Sequence, residues 1–194
     1  MSNGLTNIAV FASGSGSNFE AIAEEALAGR LPCQVKVLVC DREHAPVKEK
    51  AQALGISVFC FRPRDYEQKA DFEAEIVRML QEADVELIAL AGYMRLVGST
   101  LLKAYEGRIM NIHPSLLPAF PGKDAVEQAM EANVKVTGVT VHLVDEGMDT
   151  GPIIEQEVVR IQTTDDAQSL QKKIQQIEHR LYPAVIQQFV EGEI

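Results

Sequence analysis

"NIAVFASGSGSNFEAIAEEALAG" runs from Asn7 to Gly29, and the fold class turns on it. Asn7 to Ser13 is a short apolar run ending in small residues, the pattern of a buried strand. From Asn18 onward Phe19, Ile22, Ala23, Ala26 and Leu27 recur at helical spacing, with Gly29 as a stop. A buried strand that feeds a helix through a glycine-rich loop is the opening unit of an α/β protein.

The chain then alternates in the same way. "VKVLVC" reads as a second strand, "PVKEKAQALG" as a helix closed by Gly55, and "SVFCF" as a third strand. "DFEAEIVRMLQEA" places Phe72, Ile76, Met79 and Leu80 on one helical face. "VELIALAG" (Val85 to Gly92) is a very apolar fourth strand, and "GRIMNIH" a fifth, after a short helix around "STLLKAY". "DAVEQAMEA" is a further helix. "KVTGVTVHLV" and "PIIEQEVVRI" follow with no helix between them, so they read as longer, antiparallel strands. Asp166 to Glu191 reads as one long helix interrupted near Pro183. The expected architecture is α/β: a Rossmann-like, mostly parallel sheet with helices on both faces, partly antiparallel C-terminal strands and a long C-terminal helix. Residues 1–194 are expected to form a single domain. In such sheets ligands bind beyond the carboxyl ends of the strands.

Composition sets outer bounds. Among 194 residues, 46% are hydrophobic and 24% charged, as in an ordinary soluble globular protein. The net charge of −10 argues against a nucleic-acid partner, because phosphate backbones need clustered Lys and Arg. An anionic ligand must therefore be held by a local site. Cys33, Cys40 and Cys60 have no CxxC spacing and read as buried, reduced thiols. "MSNGLTN" lacks the pattern of a signal peptide, and no apolar run reaches membrane-spanning length, so no membrane partner is expected and the chain reads as cytoplasmic.

Two places carry chemistry. In "ASGSGSNFEAI", Gly14 and Gly16 let backbone approach a ligand, while Ser15, Ser17 and Asn18 add short polar groups at a helix N-terminus. The third glycine of the dinucleotide fingerprint is replaced by Phe19, and no GK[ST] follows. A single phosphate monoester fits this loop better than a pyrophosphate. The alternative is a tight turn with Ser17 or Asn18 as N-cap.

The second place is "NIHPSLLPAF" (Asn111 to Phe120). Asn111 and His113 are two residues apart at a strand end and share one face, and Pro114 fixes the backbone after them. "DEGMDTGP" (Asp145 to Pro152) supplies carboxylates, one of which could meet His113. A carboxylate fixes and charges an imidazole, and an amide donates to a developing oxyanion. Such a group suits acyl transfer to an amine without an enzyme nucleophile; the alternative is a plain structural strand end. His44, His142 and His179 read as surface or packing residues. Neither HExxH nor a Cys/His cluster occurs, so no metal is expected.

With these residues in place, the chain resembles the folate-dependent glycinamide ribonucleotide formyltransferase family. The resemblance covers essentially the whole chain and rests on "SGSGSN", "LAGYMRLV", "NIHPSLLPAFPG", "TVHLVDEGMDTGPI" and "IEHRLYP". It implies 10-formyltetrahydrofolate as donor and the amine of 5-phosphoribosylglycinamide as acceptor, in purine synthesis. It also implies Asn111, His113 and Asp149 as the catalytic trio and Gly16, Ser17 and Asn18 at the acceptor phosphate. Gln175 and Glu178 match positions near the acceptor ribose. Met94, Arg95, Leu96 and Val97 match the folate pocket, together with Asn111 and the loop of Asp145, Glu146, Gly147, Met148 and Asp149. Lys69 aligns where many relatives carry an arginine near the folate tail; lysine keeps the charge but loses the bidentate fork. Lys123-Asp124 stands where other relatives have a histidine. The resemblance leaves room for a homodimer. Runner-up readings are a formyltetrahydrofolate hydrolase, a methionyl-tRNA formyltransferase and a non-catalytic nucleotide-binding module. The first two usually carry an extra domain, and the last leaves Asn111, His113 and Asp149 unexplained.

Overall fold

The computed structural model describes residues 4–194. Met1 to Asn3, part of the stretch read for a signal peptide, lie outside the described residues.

The strands are β1 (Thr6–Phe11), β2 (Cys33–Cys40), β3 (Ser57–Cys60), β4 (Leu87–Leu90), β5 (Ile109–His113), β6 (Val136–Leu143) and β7 (Ile153–Arg160). They form one sheet in the order β3-β2-β1-β4-β5-β6-β7. The first five are parallel, and β6 and β7 each run antiparallel to their neighbour. The helices are α1 (Ser17–Leu27), α2 (Val47–Ala53), α3 (Lys69–Glu82), α4 (Ser99–Ala104), α5 (Ala125–Glu131) and α6 (Ala167–Val190). A 3₁₀ turn at Pro63–Asp65, not anticipated from the sequence, joins β3 to α3.

The period-two alternation of the central strands serves two cores. Ile8 and Val10 of β1 pack with Phe19 and Ile22 of α1 and with Leu170, Ile174 and Tyr182 of α6. Ala9 and Phe11 face the other way, toward Phe72, Ile76 and Leu80 of α3 and Leu101 of α4. Burial on both faces explains why these strands are almost wholly apolar.

From β1 the chain moves outward to β2 and β3, then returns to β4 on the opposite side of β1. Beyond that reversal the strand ends diverge and open a crevice. Ser13 N–H donates to the Gly92 carbonyl at 3.1 Å and closes its floor.

Three details differ from the sequence reading. Gly16, not Ser17 or Asn18, is the N-cap of α1, in the left-handed region at φ 74°. A Cβ there would lie 2.3 Å from Cγ2 of Val47, so the α1–α2 contact and the backbone both require glycine. Second, α6 runs unbroken through Pro183. An internal proline costs about 3 kcal/mol, but Tyr182, Val185 and Ile186 around it are buried, each contributing about 1.5–3 kcal/mol. The Tyr182 hydroxyl also lies 3.0 Å from both the Leu90 and the Met110 carbonyls. Third, all three cysteines are free, but only Cys33 and Cys40 are buried; Cys60, at the end of the edge strand β3, is exposed.

Candidate active site

A cleft of about 660 Å³ lies at the carboxyl ends of β1, β4 and β5. It is bordered by the Gly14 to Asn18 loop, the segment from Leu90 to Val97, Asn111 to Pro114, Gly122 to Ala125, and Gln171, Gln175 and Glu178 of α6. From the acidic loop come Asp145, Gly147, Met148 and Asp149. Glu146 and Lys69 are not among the bordering residues. Glu146 is exposed. Lys69 is the first residue of α3, with its Cε close to Gly98, one residue past the cleft-lining Val97.

At one end of the cleft, Gly16 offers no side-chain cap to α1. The first-turn N–H groups of a helix have no intrahelical partner and carry partial positive charge. Here they open toward the cleft beside Ser15, Ser17 and Arg42. Behind them, Asn18 Nδ2 donates to Glu178 Oε2 at 3.0 Å, while Asn18 Oδ1 is buried without a partner. Burial raises the Glu178 carboxyl above its ordinary range, partly opposed by the Asn18 bond. A largely desolvated carboxyl and a free amide oxygen are acceptors suited to ligand hydroxyls.

At the centre, the alternation of β5 puts Asn111 and His113 on one face. Asp149, held at φ 56° in its loop, reaches back between them. Its Oδ2 accepts the Gly122 amide at 2.8 Å and lies 3.3 Å from His113 Nδ1. Its Oδ1 lies 3.4 Å from Asn111 Nδ2. His113 Nε2 donates to the Phe120 carbonyl at 2.8 Å. Both His113 ring nitrogens thus face acceptors, an arrangement matched when both carry protons.

His142 also belongs to this group, against the packing role read for it from the sequence. It pairs directly with Asn111 across the antiparallel β5–β6 ladder, which puts both side chains on one face. Its Nδ1 donates to the Leu143 carbonyl at 2.8 Å. Its Nε2 lies 3.2 Å from Asn111 Nδ2 and 3.6 Å from Asp149 Oδ1. Burial pushes the Asp149 carboxyl up, but His142, the Gly122 amide and His113 outweigh it, so the carboxyl is held below its ordinary range. The anion is the resident form.

At the far end, Met94, Leu96 and Met148 are each at least half exposed and border the cleft. They are exposed rather than core. Three large apolar side chains beside a polar centre make a site for a flat, partly apolar ligand. This segment is anchored from behind by residues the motif reading did not single out. The Met94 amide donates to Ser13 Oγ at 2.9 Å, Ser13 Oγ donates to Asp41 Oδ1 at 2.5 Å, and Arg95 Nε donates to Asp41 Oδ2 at 2.7 Å. Arg95 is thus turned toward the buried Asp41. Asp145 Oδ1 accepts from Gly147 N and Thr150 Oγ1 and shapes its own loop. Lys123 and Asp124 border the cleft, with Asp124 as the N-cap of α5. Among the described residues no group of three or more His, Cys, Asp or Glu could hold a metal ion, and no helix is long and apolar enough to cross a membrane.

Residues 6–186 match the formyl transferase family. Over 186 residues the chain is 54% identical to phosphoribosylglycinamide formyltransferase of Bacillus subtilis, covering 96% of this chain and 95% of that one. It is 37% identical to the trifunctional purine biosynthetic protein adenosine-3 of Gallus gallus over 96% of this chain, which corresponds to 19% of that much longer protein. In three dimensions it superposes on the phosphoribosylglycinamide formyltransferase of Bacillus halodurans with a TM-score of 0.94, at 54% identity and 97% coverage of both chains.

Proposed function

The chain belongs to the formyl transferase family, and from that premise we infer that it is a phosphoribosylglycinamide formyltransferase of de novo purine synthesis. It takes the formyl group of 10-formyltetrahydrofolate and places it on the primary amine of 5-phosphoribosylglycinamide. One observation supports this most: the cleft holds an uncapped helix N-terminus at one end, exposed apolar side chains at the other, and Asn111, His113 and Asp149 between.

In this reading the acceptor phosphate sits on the amides of Gly16, Ser17 and Asn18. Gln175, Glu178 and Asn18 take its ribose hydroxyls. The folate ring lies against Met94, Leu96 and Val97, with backbone of the Asp145 to Asp149 loop along its polar edge. The folate tail leaves past Val97 toward Lys69. Both substrates then meet at Asn111, where the amine attacks the formyl carbon.

Attack places negative charge on the formyl oxygen. The Asn111 amide donates to that oxygen, and His113 supplies positive charge beside it. Asp149 faces and orients His113, while His142 holds the Asn111 amide from the other side. His113 reaches the reacting atoms by giving up its bond to the Phe120 carbonyl. The proton lost by the attacking amine goes to the departing folate nitrogen, through His113 or water. Holding the two substrates in register contributes the largest share, up to about 7–11 kcal/mol in well-oriented systems.

Residues 1–194 work as one formyltransferase domain in the cytoplasm, without nucleic acid or membrane. A homodimer would meet through the strip of exposed Val136, Ile153 and Val158 beside the β7 edge. The deciding experiment is a steady-state assay with 10-formyltetrahydrofolate and either 5-phosphoribosylglycinamide, water or methionyl-tRNA as acceptor. Saturable turnover that requires the glycinamide ribonucleotide is expected. Equal folate turnover without it would replace this reading by a hydrolase.

A further inference from the structure

We propose that Cys40 and Cys60 are a redox-modifiable pair, which a small disulfide oxidant joins into a reversible intrachain disulfide, and that this bond acts on Asp41. Nothing in formyl transfer requires either thiol, so the inference goes beyond the proposed activity.

The two residues are register partners at the ends of the parallel strands β2 and β3. Leu38 and Val58, two residues earlier on each strand, pack in the same core, so the alternation turns both thiols to one face. Neighbouring strands lie about 4.8 Å apart, inside the Cα separation of about 4.4–6.8 Å that a disulfide spans. Both thiols donate to a single acceptor, the Arg42 carbonyl, at 3.3 and 3.7 Å. Just past the pair, the Phe61 amide donates to the Cys40 carbonyl at 3.0 Å. The backbones are therefore already tied, and the bond needs side-chain rotation more than strand movement.

Their burial divides the roles. Cys60 is exposed and can be reached by an oxidant, whereas Cys40 is buried behind it. With oxidised glutathione, the Cys60 thiolate attacks one sulfur, the glutathione S–S bond breaks, and one glutathione thiolate leaves and takes up the Cys60 proton. Cys40 then attacks the Cys60 sulfur and expels the second glutathione, which takes the Cys40 proton. Two protein thiols are oxidised to one disulfide and one glutathione disulfide is reduced to two thiols. Cys33, at the opposite end of β2, has no such partner in register: it pairs with Thr6.

The bond would remove both thiol donors from the Arg42 carbonyl, and Arg42 borders the cleft. Asp41, between Cys40 and Arg42, holds the Met94 segment through Ser13 and Arg95. Loss of both thiol bonds frees the Arg42 carbonyl and loosens the turn that carries Asp41.

The test treats the whole folded protein with oxidised glutathione, blocks remaining thiols, and maps peptides by mass spectrometry. A Cys40–Cys60 linked peptide that dithiothreitol reverses is expected, with Cys33 recovered blocked. A stable glutathione adduct at Cys60, a bond between two chains, or equal oxidation of Cys33 overturns the pair. The second measurement is hydrogen–deuterium exchange over the Met94 segment, which does not depend on the enzyme's acceptor or donor. Faster exchange after oxidation in the parent, with no change in Cys60→Ser, is expected. A linked peptide with unchanged Met94 exchange overturns the action on Asp41.

Discussion

Nδ1 of His113 stands 3.3 Å from Oδ2 of Asp149, while the ring's other nitrogen donates to the Phe120 carbonyl. The carboxylate therefore presents negative charge to one edge of the ring and fixes the ring's orientation. Replacing Asp149 by Asn keeps shape and removes charge. Formyl transfer should fall by about 10² or more, the scale of losing one group that stabilises a developing oxyanion. His113→Ala should fall at least as far, because the ring that the carboxylate orients is gone. Steady-state kcat/KM of the two variants and the parent decides; near-parent turnover in Asp149→Asn would reject a role for the charge.

The same carboxyl links the site to stability. Its folded value lies below its ordinary one, set against burial by His142, Gly122 and His113. A carboxyl depressed on folding stabilises the native state above its unfolded value, about 3.9, and loses that contribution as the pH falls through the folded value. The melting temperatures of the parent and Asp149→Asn should therefore keep their full separation above about pH 4 and converge as the pH falls below it. A gap that persists unchanged into acid would mean that geometry, not charge, accounts for the difference.

Asp41 tests the folate end. Its oxygens hold Ser13 and Arg95, and Ser13 holds the Met94 amide. Asp41→Asn should raise the KM for folate by about tenfold, equivalent to about 1.4 kcal/mol, with a smaller change in the acceptor KM. Equal changes in both constants would show that the segment serves the whole cleft.

Ser17 tests the opposite end. A carboxylate introduced by Ser17→Asp would occupy the field of the uncapped α1 terminus and repel an anion. Binding titrations should show the phosphorylated acceptor weakened far more than a folate analogue. Similar losses for the two would remove the phosphate from this loop.

The sequence carried some of this and hid the rest, for physical reasons. The β1–loop–α1 unit was legible because periodicity changes from two to helical within a few residues, and the antiparallel β6 and β7 because no helix intervenes. Asn111 and His113 share a face by spacing alone. His142 stayed hidden because its role depends on the β5–β6 register, which pairs it with Asn111; nothing local to "VTVHLV" states that register. Ser13 and Asp41 meet across two strand ends, 28 residues apart, which no spacing rule reaches. Pro183 reads as a break because local helix chemistry says nothing of the burial that holds both halves of α6 in place.

Glu178 is where function and stability pull in opposite directions. The side chain is buried on α6, bonded to Asn18, and its carboxyl is raised above the ordinary range chiefly by desolvation. An acid raised on folding keeps its proton in the native state at pH values where the unfolded chain has released it. Native stability therefore declines as the pH rises from the unfolded value, about 4.3, toward the raised folded one. Glu178→Gln removes that decline while its amide oxygen can still accept from Asn18. The variant should melt higher than the parent at neutral pH, and the gap should close below about pH 4. If Glu178 receives the ribose hydroxyls of the acceptor, the same variant should raise the acceptor KM and leave the folate KM nearly unchanged. Thermal melts across pH, paired with the two KM values, check both halves. A variant that melts higher with an unchanged acceptor KM would leave Glu178 as a buried acid with no part in recognition.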